Sequence, residues 1–127
     1  MSRLVLDSGA LVALERNDRA LWTALKDSAL AGDDVLVPST ALAQVWRGSP
    51  SQALLSRALR HCVIASFDAL ARRVGELCGR ADTDDLCDAH VALVAATQGD
   101  VLYTSDVADL RRLIPHCRAR TPVIIRC

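Results

Sequence analysis

The chain has almost no lysine and almost no glutamate. Of its 127 residues 15 are basic and 15 acidic, yet Lys26 is the one lysine, and Glu15 and Glu76 are the only glutamates. Aromatics are equally scarce at 3%, which argues against the stacking platforms that grip single-stranded nucleic acid. With no net charge, the protein is not held to nucleic acid by a bulk basic surface, although a local basic rim stays open. No apolar run approaches the roughly 18 residues needed to cross a bilayer, so no membrane association is expected. Cys62, Cys78, Cys87, Cys117 and Cys127 form no CxxC pair and no zinc-finger spacing with histidine. No charged-then-apolar leader precedes Arg3-Leu4-Val5-Leu6-Asp7. A reduced, cytoplasmic protein with cysteines serving as small apolar residues is the expectation.

What fills the charged positions is aspartate and arginine. Aspartate suits caps, turns and metal sites better than helix interiors. Arginine suits bidentate phosphate recognition, although a GC-rich genome also raises its frequency. Hydrophobic residues at 51% and charged ones at 24% exclude disorder. The length, with no repeat and no Pro/Gly-rich linker, predicts a single domain over 1–127.

Short apolar runs predict strands at 3–6, 34–37, 62–65, 101–103 and 122–125. Their continuous hydrophobicity predicts burial on both faces, hence a mainly parallel sheet of four or five strands covered by helices. Helices are predicted at 9–16 with Ser8 as cap, at 19–31 between Asp18 and Gly32, and at 40–47 ahead of Gly48 and Pro50. Further helices follow at 51–61, 67–80, 84–98 and 106–113. The alternation gives an α/β sandwich, in which ligands bind beyond the carboxyl ends of the strands.

Two aspartates fall at that edge: Asp7 directly after the first strand, and Asp106 after the fourth. A third, Asp88, opens a helix that is apolar almost all round apart from His90, so it should be central and buried. Asp85 shares its face at i, i+3, beside the small residues Ala89 and Ala92. A buried carboxylate needs a counter-charge, and with lysine nearly absent a divalent cation is the natural candidate. Asp109 sits one turn after Asp106. Asp7, Asp88, Asp106 and Asp109, with the Thr104 and Ser8 hydroxyls nearby, would make an all-oxygen pocket suited to Mg²⁺ or Mn²⁺. Its chemistry would be phosphoryl transfer by metal-activated water.

This ordered set (Asp7-Ser8 after the first strand, Asp88-Ala89-x-x-Ala92 opening a central helix, and Thr104-Ser105-Asp106 with Asp109 in the next turn) resembles a PIN domain. Within that group it is most similar to the VapC-type ribonuclease toxins of bacterial toxin–antitoxin pairs, over essentially the whole chain. The resemblance implies a three-layer α/β/α domain that cleaves RNA with Mg²⁺ or Mn²⁺. Placement at the carboxyl edge and the lack of a lysine counter-charge make Asp7 and Asp88 the expected principal metal ligands and catalytic residues, with Asp106 completing the site and Asp109 and Asp85 bound to the ion or just behind its ligands. The resemblance also implies an antitoxin encoded alongside and a symmetric homodimer.

One position departs from the pattern. The family places a glutamate on the helix after the second strand, where this chain has Gln44, sharing a helix side with Thr40 and Arg47. A glutamine carbonyl can ligate a metal or hold a water, but it carries no charge. Either Asp85 supplies the missing charge, or the site binds metal weakly and the protein is mainly a protein- or RNA-binding module. Arg47 is a candidate phosphate contact. A phospho-acceptor receiver domain also gathers aspartates at strand ends, but it expects a lysine after the last strand, and 122–127 has none.

The helices at 9–31 and 40–61 carry Leu11, Val12, Leu14, Leu21, Trp22, Leu25, Trp46, Leu54, Leu55 and Leu59. One small sheet is expected to leave part of this apolar surface uncovered. An amphipathic antitoxin helix would fill that groove, with a basic side chain reaching Asp7 or Asp106.

Overall fold

The computed structural model describes residues 2–127. Five strands, β1 (Leu4–Leu6), β2 (Val35–Pro38), β3 (Val63–Ala65), β4 (Val101–Thr104) and β5 (Val123–Arg126), form one sheet in the order β3-β2-β1-β4-β5. Every neighbouring pair is parallel, as the unbroken apolar runs predicted. Seven helices flank it: α1 (Ser8–Glu15), α2 (Arg19–Ala31), α3 (Ser39–Val45), α4 (Ala53–Leu59), α5 (Ala71–Ala81), α6 (Leu86–Gln98) and α7 (Val107–Leu113). The chain winds outward from β1 through β2 to β3, then crosses to β4 on the other side of β1 and on to β5. The crevice beyond the carboxyl ends of β1 and β4 is therefore the topological switch point, where open α/β sheets bind ligands.

Helix α1 packs with α2, α3 and α4, while α5, α6 and α7 pack together as a second group. That gives the three-layer α/β/α architecture expected from the sequence. Helix α3 touches both α1 and α6 at the carboxyl edge. The centre is α6, whose residues from Ala89 to Ala96 are all buried, His90 among them.

Four expectations need correction. Continuous hydrophobicity predicted burial on both faces for all five strands, but only β1 and β2 are buried throughout. Val63, Ile64, Val123 and Ile125 are exposed, because β3 and β5 lie at the sheet edges. Helix α1 is capped by Asp7 rather than Ser8, its carboxylate Oδ1 accepting the Ser8 N–H at 2.7 Å. In an Asp-Ser pair either residue has the right side chain; the one that ends the strand wins. The segments 51–61 and 67–80 each open with a 3₁₀ turn, at Pro50–Gln52 and Asp68–Leu70, before the α-helix begins. Finally, the apolar surface is mostly covered: Leu11, Leu14, Leu21, Leu25 and Leu55 are core residues, packed where α1, α2 and α4 close over one face.

Candidate functional site

Strand β1 ends at Leu6, so Asp7 leaves the sheet at the switch point with its side chain still buried, 1% exposed. Both carboxylate oxygens are engaged. Oδ1 accepts the Ser8 N–H, and Oδ2 accepts the Thr104 hydroxyl at 2.8 Å. The same Thr104 Oγ1 accepts the Asp106 N–H at 3.0 Å. One buried hydroxyl thus links two acids that lie just past the ends of neighbouring strands, β1 and β4. Gly9 allows the link to close: a Cβ there would collide with the Oγ and Cβ of Ser105, so any larger residue would push the loop after β4 away from α1.

Asp88 comes from the opposite layer, on the first turn of α6. It sits beside Asp7 and Asp106, and one oxygen from each of the three lies within 4.8 Å of the others. Asp85 and Asp109 stay outside this group. Asp85 caps α6, its Oδ1 accepting the Asp88 N–H at 3.0 Å, and Asp109 lies exposed on the first turn of α7. Both still act through charge. Burial, then Asp85, Asp7, Asp106 and Asp109 in that order, push the Asp88 carboxyl up to about 7. Burial also raises Asp7, against the lowering effect of its hydrogen bonds from Thr104 and Ser8.

No basic side chain forms an ion pair with these three carboxylates among the described residues; Arg126 comes near, its Nη1 donating to the carbonyl of Ser105, next to Asp106, at 3.3 Å. Among the described residues the one ion pair is Arg120–Asp100, at 3.2 Å, on the exposed opposite rim. Three clustered carboxylates without a cationic partner are an all-oxygen donor set for a hard divalent ion, and the residues fit Mg²⁺ or Mn²⁺ on that ground.

The remaining predicted residues fall around the cluster. Gln44 is exposed and shares a cavity of about 710 Å³ with Ser8 and Ser105, the chain neighbours of Asp7 and Asp106. Arg47 is exposed and folds onto its own helix end, donating from Nη1 to the carbonyls of Trp46 (2.8 Å) and Ala43 (3.2 Å). Ser8 contributes its backbone N–H to Asp7.

Three residues were given no role from the sequence. Gln52 is buried and fully used. Its Oε1 accepts the N–H groups of Arg47 and Gly48, and its Nε2 donates to Glu15 and to the Val45 carbonyl. It fastens the end of α3 to α1. His90, fully buried, shares a 2.8 Å hydrogen bond between Nδ1 and the Thr40 hydroxyl and meets Phe67 edge to face. It fastens the start of α3 to α6. A polar residue at a helix start and a lone histidine in an apolar helix give no sign of these partners, which lie 37 and 50 residues away. The third, Arg16, lines the same cavity as Gln44; in sequence it is one arginine among fourteen.

No family model matches the chain, and no curated protein matches it. Among solved structures it is similar to a chain of VapBC2 from Rickettsia felis, determined bound to a DNA fragment from their promoter. The two are 18% identical over 98% of each chain, with a TM-score of 0.69. The likeness establishes the fold, the PIN-like α/β/α arrangement that the sequence resemblance implied.

Proposed function

We propose that the protein is a Mg²⁺- or Mn²⁺-dependent endoribonuclease that acts as the toxin of a toxin–antitoxin pair. The observation that carries this reading is the cluster of Asp7, Asp88 and Asp106 at the switch point, with no basic partner. Those three residues would hold the ion, with Asp85 and Asp109 adding charge around it. When bound, the cation supplies positive charge at the scissile phosphate and an acidified water as nucleophile. The chain's own part is preorganisation. Thr104 holds the Asp7 Oδ2 and the Asp106 N–H together, and the Asp85 cap holds the start of α6, so the carboxylates keep their spacing before substrate arrives.

Purified protein incubated with a short single-stranded RNA tests the proposal. Cleavage should need MgCl₂ or MnCl₂, stop with EDTA, and be lost in Asp7→Asn and Asp88→Asn. Undiminished cleavage by both variants would overturn the site. No cleavage with either metal would favour a second reading, a PIN-like binding module, for which Gln44 in place of an acid is the supporting observation.

The fold likeness to a VapBC2 chain supports an antitoxin partner, and we place its amphipathic helix on α2 and α4. There Trp22, Leu25, Ala29 and Leu30 line a largely apolar cleft of about 330 Å³, with Arg57 and His61 on its rim. Leu30 is 87% exposed. A basic side chain from the same antitoxin would reach Asp7 or Asp106 and pair with the carboxylates. Co-expression with the adjacent reading frame followed by gel filtration should yield a stable complex, in which the toxin is also a homodimer. A monomer that ignores its neighbour's product would refute the partnership.

A further inference from the structure

We propose that single-stranded RNA lies along the groove between α1 and α3, and that Arg16 and Arg47 hold its backbone phosphates. The inference rests on the ribonuclease reading of the adjoining carboxylates and assigns that site its substrate track. Two cavities, of about 710 and 360 Å³, share Val12, Arg16, Gln44 and Val45 and so form one continuous trough. Its inner end is Ser8 and Ser105, directly beside the acidic cluster. Its outer end is Arg47 and Ser49.

The trough carries two arginines and two acids, and what suits it to an anion is its unpaired guanidinium donors. Each acid has an oxygen turned to a partner of its own: Glu15 accepts from Gln52 Nε2 at 2.8 Å, and Asp18 caps α2 by accepting the Leu21 N–H at 3.0 Å. Neither arginine has a carboxylate partner, since the one ion pair among the described residues is elsewhere. Arg47 donates only from Nη1, to two carbonyls that end α3. Its Nε and Nη2 donors have no protein partner and the side chain is exposed, leaving an edge of the planar guanidinium free for a phosphate. Gln44 lies on the trough wall between the two arginines, exposed and uncharged. A glutamate there would set a negative charge in the path of the phosphates; the glutamine removes it. With so few aromatics in the chain, the grip falls on the backbone rather than on stacked bases.

Steady-state cleavage of a short oligoribonucleotide in MgCl₂ tests this with Arg16→Gln, Arg47→Gln, the double variant, and Arg72→Gln on α5 as a control. Each trough variant should raise KM roughly 3- to 10-fold, as loss of an exposed charge-assisted contact does, with kcat within about twofold. The slope of log KM against log salt should fall by about 0.7 per arginine. Arg47→Lys should keep the salt slope but recover only part of the affinity, because charge returns without the fork. Melting curves that match the parent's confirm folding. Unchanged KM and salt slope, or a loss confined to kcat, would overturn the track while leaving the ribonuclease reading intact. If the parent fails to cleave, the ribonuclease reading fails by itself. Fluorescence anisotropy with the same oligonucleotide in EDTA then decides the trough: weaker binding by the arginine variants supports it, and equal or absent binding overturns it. Variants that lose affinity for a co-expressed protein while RNA kinetics hold would hand the trough to that protein and overturn the proposal.

Discussion

Replacing Asp88 by asparagine should make the metal-free protein more stable above neutrality and no more stable in acid. The Asp88 carboxyl sits at about 7 against an ordinary 3.8, raised first by burial and then by its acidic neighbours. Below about pH 4 it is protonated in both the folded and the unfolded chain, so it contributes nothing to the pH dependence. Between about pH 4 and 7 the unfolded chain loses the proton first, so the folded state binds more protons and stability falls as pH rises. Above about 7 the whole loss is present. A shift of about three units corresponds to about 4 kcal/mol. Asp88 is only half-buried, and screening cuts that to about 2 kcal/mol. Asparagine is nearly isosteric and has no charge to lose. At pH 8 in EDTA, Asp88→Asn should therefore melt about 7 °C above the parent, given the entropy of unfolding of a chain this long. At about pH 3, below the unfolded value, the two curves should nearly coincide. Calorimetry across that range decides it, and adding MgCl₂ at pH 8 should stabilise the parent far more than the variant. A variant that melts below the parent at pH 8, or a gap independent of pH, would refute the reasoning.

Asp7→Asn should abolish cleavage but raise stability less than the Asp88 change, because the Asp7 oxygens already hold the Ser8 amide and the Thr104 hydroxyl; parallel melts and RNA assays show the contrast. Thr104→Val leaves the buried Asp7 Oδ2 and the Asp106 N–H without their shared partner, and should cost about 1–3 kcal/mol in chemical denaturation. Gly9→Ala drives a methyl into Ser105. It should lower cleavage by more than its loss of stability, about 1–3 kcal/mol, explains, since the displaced loop carries Asp106. Asp85→Asn keeps a capping side chain but removes charge. It should raise the Mg²⁺ concentration needed for half-maximal cleavage, and Gln44→Glu should lower it again; no change would leave Asp85 as a cap alone.

Much of this site was legible because its acids are tied to strand ends and helix starts, features that period and punctuation reveal. Asp7 follows an apolar run and Asp88 opens an apolar helix, so both could be placed before any contact was known. Strand order was harder. Apolar runs at 62–65 and 122–125 look as central as the one at 3–6, and only the crossover past β1 makes β3 and β5 edges. The grouping of Asp7, Asp88 and Asp106 without Asp109 or Asp85 was also beyond sequence spacing. An i, i+3 relation puts two acids on one helix face, but it does not say how far along that face the neighbouring strand ends. Gln52 and His90 were illegible for a plainer reason: their partners are distant in sequence, and nothing local distinguishes a clamp from a solvated amide.

The hydrogen bond between Asp7 and Thr104 spans 97 positions of the chain. Those two residues sit side by side at the ends of adjacent strands, yet 97 positions of synthesis separate them. A ribosome adding about 5–20 residues per second therefore presents β1, β2 and the helices of the first face several seconds before the strand that completes the acidic cluster. Closing so long a loop is slow compared with forming local helices. Until β4 slots in beside β1, Asp7 has neither its hydroxyl partner nor the other two carboxylates. On the ribonuclease reading, a half-made chain is harmless to the ribosome producing it. The α2–α4 cleft, whose residues all precede position 62, is synthesised well before the site becomes competent, so a partner waiting for that face has a head start on the enzyme.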